Sequence, residues 1–263
     1  MGVKRSWRAL CVAGWILTGL LLATWTALLQ PFNPRWLAAH RQRLTRHWMR
    51  TLIRLLPLRI RCHGTPPNGT TLWVSNHVSW LDIVVLGAQA PVHFLSKAEV
   101  RHWPVIGWLA AAAGTLFIKR GQGSGSQLQE QLSHALNQGR SLVLFAEGTT
   151  TAGDQVRTFH ARMLACAQTT GTPVQPVAIA YRYNGQRDQY APFIGDDEFT
   201  RHLWRLLGCP GVIEVEVYFL PLLDSQGNER NQLARQAQSA VAQALGLPDS
   251  SARKSGSDFK AAA

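Results

Sequence analysis

The feature that most constrains this chain is the stretch from Ala9 to Leu29, which holds no charged residue and is preceded by Lys4, Arg5 and Arg8. As a helix it is long enough to cross about 30 Å of hydrocarbon. A signal peptide would carry a shorter apolar run and a small-residue cleavage site, and no such site follows. The next segment differs in kind. Arg35, Arg41, Arg43, Arg46, Arg50, Arg54, Arg59 and Arg61 are interleaved with Trp36, Leu37, Leu44, Trp48, Leu52 and Leu55. The apolar residues recur at about helical spacing on one side, the pattern of a basic amphipathic helix lying at a membrane interface. Gln30, Pro31, Asn33 and Pro34 supply a turn between the two segments. Residues 1–57 therefore read as a membrane-associating unit, either a spanning helix or a helical hairpin. The heavier basic flank after Leu29 places the rest of the chain on the cytoplasmic side of an inner or cytoplasmic membrane.

A formal net charge of +12 invites either nucleic acid or an anionic membrane surface. No nucleic-acid-binding motif accompanies it, so the membrane surface is the expected partner. Cys11, Cys62, Cys166 and Cys209 are scattered without a C-x-x-C pair, which suggests neither a zinc site nor a disulfide framework. With no metal-ligand cluster in the sequence, no metal and no cofactor are expected.

A globular part is expected over residues 58–247, opening after Pro57. Short runs rich in Val, Ile, Leu and Phe predict strands at Thr71–Ser75, Val92–Ser96, Thr115–Lys119, Leu142–Ala146, Val174–Tyr181 and Val212–Leu220. Glu214 and Glu216 alternate with Val215 and Val217, so the last of these should have one wet face. Helical patterns lie between, at Ser126–Asn137 with Gly139 as a stop, at Arg157–Gln168 and from Asn228 to Leu245. The alternation predicts an α/β fold, a mixed sheet with helices on both faces, preceded by the membrane helix or hairpin. Residues 248–263, rich in Ser, Lys and Ala, are expected to be disordered.

The chemistry is concentrated in Ser75-Asn76-His77-Val78-Ser79-Trp80-Leu81-Asp82. A histidine just before an apolar stretch, with an aspartate closing the segment, can form a general base and its orienter. Residues five apart point away from each other on an ideal helix, so His77 must sit at or before a helix start for Asp82 to reach it. Asn76 or Ser79 is placed to cap that helix. Lys119 and Arg120 close one predicted strand, Glu147-Gly148-Thr149 closes another, and strand ends deliver side chains to a site rim.

Further segments follow in order: Gly114-Thr115-Leu116-Phe117-Ile118-Lys119-Arg120, Phe145-Ala146-Glu147-Gly148-Thr149-Thr150 and Val174-Gln175-Pro176-Val177. With His77-x4-Asp82 they resemble the four ordered blocks of the glycerolipid acyltransferase family typified by the lysophosphatidic acid acyltransferases. The resemblance covers Leu72 to Tyr181. It implies His77 as general base and Asp82 as its partner, with Gly114 and Arg120 in an acceptor-binding block and Glu147, Gly148 and Thr149 in the third. Lys119 belongs to the same rim. Glu147 would fix Arg120 or bind acceptor hydroxyls.

Two positions depart from the family pattern. Ala146 stands where proline is usual, and Thr150 where an arginine usually holds the acceptor phosphate. A threonine offers one hydroxyl in place of a guanidinium fork. Glu-Gly-Thr-Thr is similar to the version in lyso-ornithine lipid acyltransferases, whose acceptor has no phosphate, although Gly153-Asp154 follows later than in that branch. Arg157 is placed to replace part of the missing arginine. The resemblance implies a membrane-bound O-acyltransferase moving a fatty acyl group from acyl-CoA or acyl carrier protein to a lysolipid hydroxyl. The family default is 1-acylglycerol-3-phosphate to phosphatidic acid, and lyso-ornithine lipid is the alternative acceptor. A non-catalytic lipid-binding protein would be the reading had His77, Asp82 or Glu147 been lost. The Gly-x-Ser-x-Gly elbow of a lipid hydrolase is absent.

Overall fold

The computed structural model of the chain describes residues 2–32, 34–118 and 124–248. It opens with a helical hairpin, α1 (Gly2–Leu29) and α2 (Pro34–Leu55). Two tryptophans clasp it: Trp15 Nε1–H donates to the Trp48 carbonyl at 3.0 Å, and Trp48 Nε1–H donates back to the Trp15 carbonyl at 3.1 Å. Gly19 makes room for this clasp, because a Cβ there would stand 2.7 Å from Trp48 Nε1.

The basic run does not continue as helix to Arg61. Helix α2 ends at Leu55, Pro57 follows, and Arg59 and Arg61 lie on strand β1 (Leu58–His63). That strand pairs in parallel with β8 (Ile213–Phe219), setting Arg59 beside Glu214 and Arg61 beside Glu216. Arg61 bonds Glu214 at 2.8 Å and His63 Nε2 bonds Glu216 at 2.5 Å. The wet face of β8 is thus partly clad by the basic residues of β1.

The remaining strands are β2 (Leu72–Ser75), β3 (His93–Lys97), β4 (Leu116–Ile118), β5 (Leu142–Phe145), β6 (Val174–Tyr183) and β7 (Gln186–Arg187). The sheet order is β1-β8-β6-β2-β5-β3-β4, with β7 folded back on β6. Strands β6, β2, β5, β3 and β4 run parallel, and β8 runs against β6. Strand alternation splits the core into two layers. Trp73, Val143, Val177, Ile179 and Tyr181 face one, and Leu72, Val74, Leu142, Leu144, Val174 and Ala178 face the other. The first layer is closed by α2, α3 (Leu81–Gln89) and α7 (Phe199–Leu207), with α1 and α4 (Ile106–Ala112) packed together alongside. The second is closed by α5 (Ser124–Asn137), α6 (Ala165–Thr170) and α8 (Arg230–Leu245).

The helix expected over Arg157–Gln168 is shorter. Residues 157–160 are irregular, a 3-10 turn covers Ala161–Leu164 and only then does α6 begin. Three backbone donors of this irregular stretch are bonded outside it. Arg157 N–H goes to Glu147, Phe159 N–H to Gln238 and His160 N–H to the Ala146 carbonyl. The tail expected to be disordered after Pro248 lies outside the described residues.

Helix propensity alone would make Gly19→Leu stabilising by about 1 kcal/mol. The clasp reverses the sign, since overpacking at Trp48 costs about 1–3 kcal/mol. Urea unfolding in detergent should show Gly19→Leu less stable than wild type; equal or greater stability would mean the hairpin is not packed in this way.

Candidate active site

Parallel strands put their C-terminal ends on one edge of the sheet, where α/β proteins carry their ligands. His77 follows β2 by two residues and Glu147 follows β5 by two. Strand β4 ends on the same edge at Ile118; Lys119 and Arg120 come next and lie outside the described residues. Residues 76–79 are non-helical and α3 begins only at Leu81, so the five-residue spacing closes. His77 Nδ1 meets Asp82 Oδ2 at 2.7 Å.

Asp82 is fully buried and accepts four hydrogen bonds. On Oδ2, the imidazole is joined by Val78 N–H at 2.7 Å and Ser79 N–H at 2.9 Å. Oδ1 accepts the Tyr181 hydroxyl at 2.6 Å. Burial, and then the Asp82 charge, push the Tyr181 phenol well above its ordinary value, so it stays a donor. A carboxylate at Nδ1 keeps the ring proton on that nitrogen and leaves Nε2 with a free lone pair. The imidazole stacks on Phe145, centroids 3.9 Å apart and planes 9° apart, with Phe94 behind Phe145 at 6.3 Å. About a sixth of the His77 side chain is exposed, at 17%. A ring so placed can take a proton from a hydroxyl group on the open side.

Segment 147–151 grips the backbone of His77 from both ends. Glu147 Oε2 accepts His77 N–H at 3.2 Å, and Thr151 gives its N–H to the His77 carbonyl at 2.9 Å and its hydroxyl at 3.3 Å. Glu147 Oε1 accepts Arg157 N–H at 2.9 Å. Burial raises the Glu147 carboxyl to about 7, with the Asp82 charge adding; the two backbone donors and the Arg157 charge oppose it. Gly148 has φ +71°, and a Cβ there would meet the His160 ring at 3.3 Å. Thr149 is exposed and Thr150 half-buried between the two residues that hold His77. Arg157 is exposed beside Glu147.

The structure thus brings together His77, Asp82, Glu147, Gly148, Thr149, Thr150 and Arg157. It does not bring Gly114 to this edge. Gly114 precedes β4 and sits at the opposite strand ends with φ +81°, its carbonyl accepting from His93 Nδ1 at 3.0 Å. A Cβ there would stand 2.8 Å from that nitrogen, so the position demands glycine for the turn. Helix α3 has no side-chain cap. Asn76 instead bridges strands, donating to the Ile179 carbonyl at 3.0 Å and accepting Ile179 N–H at 2.9 Å. Tyr181 and Phe145 are the partners sequence reasoning missed. The signal for Tyr181 was its alternation with Val177 and Ile179, which puts it on the face that α3 covers. The four cysteines are free, and burial raises the Cys166 thiol to about 12, out of reach for a nucleophile. Among the described residues, no group of three or more His, Cys, Asp or Glu is placed to hold a metal.

Residues 59–180 match the family model described as Acyltransferase. The chain is 49% identical over 239 residues to a lyso-ornithine lipid O-acyltransferase of Pseudomonas aeruginosa, covering 90% of this chain and 92% of that one. It is 30% identical over 164 residues to a 1-acyl-sn-glycerol-3-phosphate acyltransferase of Neisseria gonorrhoeae, covering 62% and 64%. The crystal structure of a 1-acyl-sn-glycerophosphate acyltransferase from Thermotoga maritima superposes with a TM-score of 0.69 at 19% identity, covering 92% of this chain and 96% of that one. It shares the fold.

The raised Glu147 carboxyl has a thermodynamic consequence. In the unfolded chain it ionises near its ordinary 4.5, and in the fold near 7. Between those values the fold holds a proton that the unfolded chain has released, so stability falls as pH rises through this window. The loss is on the order of 1–3 kcal/mol. Unfolding curves of wild type and Glu147→Gln across pH 4–8 should diverge, with the Gln variant lacking this part of the slope. Parallel curves would show that Glu147 ionises normally.

Proposed function

This chain belongs to the acyltransferase family, and on that premise we propose that it is a membrane-bound O-acyltransferase that acylates lyso-ornithine lipid. His77 is the general base and Asp82 its orienting anion. As the acceptor hydroxyl attacks the thioester carbonyl of acyl-CoA or acyl carrier protein, its proton passes to His77 Nε2. The new C–O ester bond forms, the C–S bond breaks, and the proton leaves with the thiol sulfur. Asp82 stabilises the imidazolium in between. A thioester is already activated, so no covalent enzyme intermediate is needed.

The observation that carries the acceptor is Thr150. It stands in the short segment between Glu147 and Thr151, both bonded to the His77 backbone, which supports a place for it near the reacting group. An arginine at that place would meet a phosphate with a charge-assisted fork; a threonine cannot. The 49% identity to a lyso-ornithine lipid O-acyltransferase along nearly the whole chain supports this acceptor over lysophosphatidic acid.

The hairpin supports a seat in one leaflet, and the basic flank after Leu29 supports a catalytic domain on the cytoplasmic side. Helix α1 is long and apolar enough to cross a membrane. It is nevertheless fastened to the domain: Val12 enters the core, Ala9, Trp15 and Ile16 pack on it, and Arg5 bonds the Trp204 carbonyl. Its outward face exposes Trp7, Leu10, Leu17, Leu21, Trp25 and Leu28. Trp103 and Val105, just before α4, and Trp108 on α4 are also exposed, and α1 packs against α4. Such a surface suits the acyl-chain boundary of a bilayer.

Purified enzyme should acylate lyso-ornithine lipid in preference to lysophosphatidic acid when the two compete. Thr150→Arg should shift the ratio toward lysophosphatidic acid by tenfold or more, about 1.4 kcal/mol. His77→Ala should abolish turnover of either. A wild-type preference for lysophosphatidic acid that Thr150→Arg leaves unchanged would overturn the acceptor; a turning-over His77→Ala would overturn the base.

A further inference from the structure

We propose that four arginines of the membrane hairpin are positioning residues for the His77–Asp82 pair, acting by capping the two helices that hold it. This rests on reading His77 and Asp82 as the reacting pair. The last carbonyls of a helix lack partners within it, and a cation there satisfies them and meets the negative end of the helix dipole. Helix α3 carries Asp82 in its first turn. At its other end, Arg46 Nε–H donates to the Ala88 carbonyl at 3.2 Å and Arg46 Nη2 to the Gln89 carbonyl. Arg50 Nε–H donates to the same Ala88 carbonyl at 2.9 Å. Both come from α2, four residues apart and thus on one face.

Helix α1 reaches the end of α7 in a similar way, adding a second donor to the Trp204 carbonyl, which also accepts Gly208 N–H at 3.2 Å, and bonding carbonyls at and just past the helix end. Arg5 Nη2 donates to the Trp204 carbonyl at 2.6 Å while its guanidinium lies 4.0 Å over the Trp204 ring. Arg8 Nη1 reaches the Leu207 carbonyl at 3.4 Å and the Cys209 carbonyl at 3.0 Å. Gly208 leaves the space, since a Cβ there would meet Arg5 at 3.2 Å. Helix α7 in turn holds the reacting segment. Buried His202 accepts Trp80 Nε1–H at Nδ1, 3.0 Å away, and its Nε2 donates to the Ala191 and Pro192 carbonyls at 3.0 and 3.1 Å. Phe193 N–H then bonds the Val78 carbonyl at 3.0 Å. The segment between His77 and Asp82 is therefore held through α3 and α7, and each of those helices ends on arginines from the hairpin. The charge on Arg46 and Arg50, which the sequence pattern assigns to lipid, is directed at backbone carbonyls instead.

The experiment measures turnover in neutral detergent micelles, where attachment to a bilayer no longer limits the reaction. Displacing a reacting group by about 1 Å costs on the order of a hundredfold. Arg46→Gln with Arg50→Gln should lower kcat tenfold or more with the acceptor KM unchanged, and Arg5→Gln with Arg8→Gln should act in the same sense. Arg46→Lys with Arg50→Lys, which keeps a donor and a charge at each place, should recover part of the loss. Arg230→Gln with Arg235→Gln removes the same charge from the exposed face of α8 and should keep wild-type kcat. Wild-type kcat in both hairpin pairs overturns the proposal, as does a loss that appears only on vesicles and vanishes in micelles. Should a double variant not accumulate as folded protein, Arg50→Gln alone, which leaves Arg46 on both carbonyls, is read by the same kcat-against-KM criterion. His77→Ala run alongside keeps the two readings apart: turnover there refutes the reacting pair, whereas an inactive His77→Ala beside wild-type hairpin variants refutes the caps alone.

Discussion

A carboxylate buried away from water and left unpaired would cost several kcal/mol, and much of this fold is arranged so that Asp82 is not. Its two oxygens take an imidazole N–H, two backbone N–H groups and a phenol. The four donors come from different parts of the chain: three from the turn after β2 and one from β6, its neighbour in the sheet. The start of α3 adds the positive end of a helix dipole. Each donor imposes a condition. Residues 76–79 must stay out of the helix and turn so that two successive backbone N–H groups converge on one oxygen. Tyr181 must fall on the strand face turned toward α3. The sheet must place β6 beside β2, and Asn76 fastens that pairing from both sides of Ile179.

Polarisation of the ring is only half of the device. Nδ1 is committed to Asp82, Phe145 lies flat against the imidazole, and Glu147 and Thr151 hold the peptide groups on either side of it. The ring is thus held at Nδ1, along one face and through its backbone, and Nε2 is left free of these contacts. Glu147 has both oxygens on backbone N–H groups, so its part here is to fix the His77 backbone. The site is accordingly preorganised before substrate arrives.

Much of this was legible in the sequence because it depended on local spacing. The His77–Asp82 pair, the six main strands and the apolar helix follow from periods of two, five and about 3.6 residues. What escaped depended on partners far along the chain. Arg59 and Arg61 looked like more of the basic helix because only their pairing with Glu214 and Glu216 marks them as strand residues. The helix expected from Arg157 was overlong, because residues 157–160 are fastened as an irregular stretch to Glu147, Ala146 and Gln238, partners that their own pattern does not show. Gly114 looked like a site residue because its block ends at the active edge; the strand in between carries it to the other one. Arg46 and Arg50 looked lipid-directed because a helix end belonging to another segment cannot be seen from their own.

The account stands on which imidazole nitrogen carries the proton. Nitrogen-15 spectra of histidine-labelled protein in detergent, with His77 assigned by its loss in His77→Ala, read the tautomer directly. At a pH where the ring is neutral, the account predicts the proton on Nδ1 and an unprotonated Nε2, with Asp82→Asn disturbing that state. A ring protonated at Nε2 would leave no lone pair toward the acceptor and would contradict the assignment of His77 as the base.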